Sequence, residues 1–78
     1  KTVTSIGIEK EATAYFRVSE GWSINCSYDV MYLENNTDFG KAALSTILTA
    51  KSTGKKLSRV VYSQSESGIC QLYLVEIE

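Results

Sequence analysis

Histidine and proline are absent from the 78 residues, and methionine and tryptophan occur once each. Without histidine, neither a Ser-His nor a Cys-His nucleophile pair can be assembled. Two cysteines alone leave too few ligands for a zinc site of the usual N/S type, so no metal and no cofactor is expected. No apolar run approaches the ~20 residues that span a bilayer. The length excludes a second domain or a dinucleotide-binding fold, leaving one domain over residues 1–78.

Charge of one sign is also scarce. Eight Lys and Arg stand against nine Asp and Glu, a net charge of −1. A nucleic-acid binder draws its affinity from a basic face, and the one dense basic cluster here is Lys51, Lys55, Lys56 and Arg59. It suits the exit of a helix, where cations meet the negative end of the dipole. Acid–base chemistry at Glu9/Glu11 or Glu76/Glu78 is set aside in the same way, because these are the solvated residues of strand ends. No enzyme is expected.

What is present is a globular composition, 44% hydrophobic and 22% charged. Thr2–Glu9 is β-branched, with Ile6 and Ile8 alternating. Lys10 to Ala12 form a turn, and Thr13–Ser19 alternates cleanly, with Ala14, Phe16 and Val18 on one face and Tyr15 and Arg17 on the other. Trp22–Leu33 has the clearest period of two: Trp22, Ile24, Cys26, Tyr28, Val30 and Tyr32 share one face. That run is too long for one strand, which predicts a bend or break near Ser27–Asp29. Met31 and Leu33 add apolar residues to its other face.

From Phe39 the period changes to 3.6. Phe39, Ala43, Ile47 and Ala50 line up, and Leu44 and Leu48 widen the stripe. Thr37 or Asp38 caps the helix start, and Gly54 takes the left-handed position after its end. Lys41, Ser45, Thr49 and Ser52 form its polar face. Leu57–Ser63 is a strand, Gln64–Gly68 a polar loop, and Ile69–Glu78 a last strand whose blurred alternation implies burial on both sides or a bulge.

Five strands with one helix between the third and fourth is the connectivity of the OB-fold, a small Greek-key barrel whose helix plugs one end. A sheet with the helix laid across one face, as in cystatins, is the alternative, but there the helix precedes most strands. Cys26 and Cys70 sit at matching parity in strand-like runs. A disulfide between them is favoured over two free buried thiols, and closing that loop constrains the unfolded chain by roughly 4 kcal/mol. With a strand-like run directly at Lys1, the expectation is a mature secreted or periplasmic form. Ligands of OB-folds lie on strands two and three and on the adjacent loops, which makes Tyr15, Arg17 and Trp22 candidates for stacking on a sugar ring or a base, and the acidic balance tilts that choice away from polyanions. Trp22 also reads as a core or barrel-rim residue.

The Tyr15-Phe16 pair, Phe39 opening a helix, and Ser52-Thr53-Gly54-Lys55 leading to Arg59-Val60-Val61-Tyr62 resemble the B subunits of subtilase-cytotoxin-type AB5 toxins. The resemblance implies a secreted homopentameric OB-fold lectin for cell-surface glycans, often sialylated, that carries a toxin A subunit. It places Tyr62 as a supporting tyrosine of the sugar site. Lys41, Ser45, Thr49 and Ser52 would then face a central pore or a neighbouring helix. Arg17 stands where that family has a cysteine. A small secreted module docking a protein partner on an exposed sheet edge is the competing expectation.

Overall fold

The computed structural model describes all of residues 1–78. It contains β1 (Val3–Glu9), β2 (Thr13–Val18), β3 (Met31–Glu34), α1 (Asp38–Thr53), β4 (Leu57–Gln64) and β5 (Cys70–Ile77), with a 3-10 turn at Ser27–Asp29. The strands form one sheet in the order β1-β2-β3-β5-β4, in which only β3 and β5 run parallel. The two ends of that order meet at one point. The Lys1 backbone nitrogen donates to the Leu57 carbonyl at 2.6 Å, and Leu57 N donates back to the Lys1 carbonyl at 2.7 Å. The result is mainly β and OB-like, with the helix between strands three and four as the element order implies.

Phe16, Met31, Ile47, Leu57, Val30 and Cys70 are the largest fully buried side chains. Ala14, Phe16 and Val18 all point into this core, as the alternation of β2 predicts. Helix α1 meets β1, β3 and β5 through Gly40, Ala43, Ile47 and Ala50. Its first turn is capped by the Thr37 hydroxyl, which accepts from Gly40 N at 2.9 Å, and Gly54 ends it at φ 73°. Gly40 is irreplaceable by size, because a β-carbon there would sit 1.4 Å from the Glu34 carbonyl oxygen. Phe39 and Leu48 were expected in the buried stripe but are about half exposed, since the helix covers the barrel with a narrower face.

The main correction concerns Trp22–Leu33. Only Met31–Glu34 is strand, and Cys26 lies ahead of it rather than within it. The break expected at Ser27–Asp29 is present as the 3-10 turn, with Tyr28 and Asp29 at φ 59° and 57°. A turn carries no memory of a two-residue period, so the alternation does not carry through it, and Val30 and Met31 are both buried. Met31 and Leu33 are buried, and Tyr32 points outward beside Tyr15. The blur in β5 is a bulge: Tyr62 pairs with Leu72 and Val61 with Leu74, leaving Tyr73 unpaired and exposed. Cys70 and Leu72 face the core before it, Val75 and Ile77 after it.

Candidate functional site

The alternation that buries Phe16 turns its neighbours Tyr15 and Arg17 to the outer face of the barrel. Tyr15 stands directly across from Tyr32 on β3, their rings 5.9 Å apart and tilted edge to face. On its other side Tyr15 pairs with Gly7, whose missing side chain makes room for the ring. The Arg17 guanidinium lies 5.8 Å from the centre of the Tyr15 ring. Tyr28 completes the wall, 77% exposed.

These residues surround a hollow of about 430 Å³, with Glu9 at its edge. A second, of about 320 Å³, shares Glu9 and Tyr32 and continues over Thr13 to Glu34, Ile69 and Gln71. A third, of about 140 Å³, shares Tyr32, Glu34 and Gln71 and reaches Thr37 and Phe39 at the start of α1. Tyr32 therefore lines all three. Burial raises the Tyr32 phenol above its ordinary value, the Glu9 carboxylate adds to the rise, and Arg17 opposes it. At neutral pH the hydroxyl keeps its proton and can both donate and accept.

Trp22 and Tyr62, expected beside Tyr15 and Arg17, lie elsewhere. Trp22 meets Phe16 edge-on at 5.6 Å and Tyr62 at 5.5 Å, so it stacks beneath the core side of β2. Its indole nitrogen is buried without a partner. The Tyr62 hydroxyl accepts from Ser23 N at 3.2 Å and contacts Ser23 Oγ at 2.6 Å, which ties the Trp22 segment to β4. Both residues hold the barrel end in place, and neither lines a hollow. On α1, Lys41, Ser45, Thr49 and Ser52 are exposed. Thr49 and Ser52 donate to the carbonyls of Ser45 and Thr49, at 2.9 and 3.2 Å.

Cys26 and Cys70 are bonded, with Cα atoms 5.5 Å apart, and they fix the Tyr28 turn to β5. Ser27 N adds a hydrogen bond to the Gly68 carbonyl at 2.9 Å, and Gln64 Nε2 donates to the Asn25 carbonyl at 2.8 Å. The wall that carries Tyr28 is thus tied at three points to the turn end of β4 and β5. Tyr28 and Tyr32 read from the sequence only as members of one strand face and Glu9 only as a strand-end residue, so none of the three is a ligand-site candidate there. The signal for Tyr32 was the apolar pair Met31 and Leu33, which compete with it for the core.

No family model, no curated protein and no solved structure matches this chain. The disulfide is compatible with an extracellular or periplasmic compartment, and no helix is long and apolar enough to cross a membrane.

Proposed function

We propose that this protein is a secreted, non-enzymatic binding subunit that recognises cell-surface carbohydrate on the outer face of β2 and β3. One observation carries the reading: the paired rings of Tyr15 and Tyr32, joined by Tyr28 and Arg17, edge a hollow on the face that OB-folds use for ligands. Tyrosine offers a flat apolar surface to the C–H face of a sugar ring and a hydroxyl to its rim. The near-neutral charge of the chain argues against a polyanion such as nucleic acid.

One shallow site of this kind binds weakly, so useful affinity comes from several copies engaging one surface. A homopentameric ring of the AB5 kind, with a toxin A subunit as partner, is the assembly proposed on the sequence resemblance. A glycan array probed with pre-multimerised protein tests the carbohydrate reading, and native mass spectrometry tests the ring. Binding that disappears in Tyr15→Ala supports the reading. No binding to any glycan at high density overturns it.

A second reading follows from the seam between β1 and β4. The main-chain hydrogen bonds across this seam join Lys1, just ahead of β1, to Leu57 of β4, so the flanks of β1 and β4 offer unpaired main-chain groups to a partner strand. Crosslinking that captures a protein on β4 rather than a sugar on β2 would favour it.

A further inference from the structure

The three hollows are separate depressions in shape but a single groove in composition. Tyr32 lines each of them, Glu9 joins the first to the second, and Glu34 and Gln71 join the second to the third. An aromatic ring stands at either end, Tyr28 beside Arg17 and Phe39 beside Thr37. A pocket for one terminal sugar needs one platform, whereas this row of hollows carries Tyr28, Tyr15, Tyr32 and Phe39 along its length. Its charge is also informative. Glu9 and Glu34 face it against the single guanidinium of Arg17, so its lining carries a net negative charge that repels an acidic chain.

Resting on the carbohydrate reading above, we infer that the groove binds an internal stretch of a neutral, linear oligosaccharide of several pyranose units. Tyr32 is the central platform, and Tyr28 and Phe39 hold the two flanking sugars. Pyranoses with equatorial hydroxyls, as in β-linked glucose or N-acetylglucosamine chains, present the flat C–H faces that such rings accept. Their hydroxyls find acceptors in Glu9 and Glu34 and both a donor and an acceptor in Gln71. This goes beyond a lectin of terminal, often sialylated, sugars, which is what the resemblance implies.

Calorimetric titration tests the inference with two ladders, cello-oligosaccharides and chito-oligosaccharides from one to six units, and with 3′-sialyllactose as the acidic comparison. The glycan array runs in parallel. In at least one ladder, affinity is expected to rise about tenfold or more from one unit to three or four and then level off. Tyr28→Ala and Phe39→Ser, both at exposed positions, should each remove much of that rise. A monosaccharide that binds as tightly as a tetramer, or a preference for sialyllactose, overturns the extended neutral groove and leaves the carbohydrate reading standing. Absence of binding in the ladders and across the array overturns both.

Discussion

The ring of Tyr15 occupies the space where a side chain at Gly7 would stand: a β-carbon there would lie 2.1 Å from Tyr15 Cζ. Glycine within a strand costs about 0.5–1 kcal/mol relative to alanine, and here that cost lets the far end of the Tyr15 ring lie over β1. The obstructed atoms belong to the far end of a side chain that can swing away. Gly7→Ala is therefore expected to change stability by less than about 1 kcal/mol in a urea melt, while displacing the ring. Sugar binding in the same sample should weaken. Unchanged binding would show that the ring's position does not matter.

Tyr28 pairs high exposure with a left-handed backbone at φ 59°. An L-residue pays roughly 1–2 kcal/mol for that conformation, and nothing in the core repays it. Tyr28→Gly should raise Tm by roughly 4 °C after the added freedom of the unfolded chain is subtracted. The same substitution should weaken carbohydrate binding. Opposite movements of stability and affinity are the signature of strain kept for a site; a variant that loses both would assign Tyr28 to the fold instead.

The Cys26–Cys70 bond spans 44 residues of sequence. Its removal relaxes the unfolded chain by roughly 4 kcal/mol, a large share of the total stability of a domain this small. A Cys26→Ala/Cys70→Ala variant should show that loss in its denaturation midpoint. Its binding should fall further than partial unfolding accounts for, because the turn bearing Tyr28 loses its anchor on β5.

Acid sensitivity has one clear source. The backbone N–H of Thr2 donates to Glu20 at 2.7 Å and is the largest influence holding its carboxyl at about 2, against an ordinary 4.5; desolvation opposes it. The folded value lies below the unfolded one, so this contact stabilises fully above about pH 4.5 and fades as pH falls toward 2. Glu20→Gln should flatten the pH dependence of Tm across that window while leaving its slope above pH 5 alone. Because Glu20 is exposed to water, the effect is expected to be small.

The elements with one uninterrupted period were legible in the sequence. The alternation of Ala14, Phe16 and Val18 and the helix from Thr37 to Gly54 follow from residues that repeat without a break, whereas β3 and β5 were legible as strands but not in their bounds or facing. Cys26 and Cys70 were paired correctly, although Cys26 lies in a turn and not in a strand. The site was half legible. Tyr15 and Arg17 follow from the parity of β2, but Tyr32 follows from no parity, because the run is broken at Tyr28 and Asp29, both at positive φ, and Val30 and Met31 are then both buried. Neither Tyr28 nor Asp29 is a glycine, so composition gives no sign that the backbone reverses there. Trp22 reads from the sequence as either a ligand-face or a core residue, and Tyr62 reaches the site only through the family resemblance; their edge-on contact and the Ser23 hydrogen bonds place both in the scaffold.

The single stitch between Lys1 and Leu57 gives the cylinder a zipper with one tooth engaged. Its opening exposes no large buried side chain except Leu57, whereas parting β2 from β3 would uncover Phe16 and Met31. Deuterium should thus enter the Leu57 amide ahead of those on β2. The molecule is built to breathe where Lys1 meets Leu57, so the pairing of β2 with β3 under Tyr15 and Tyr32 stays set while the seam fluctuates.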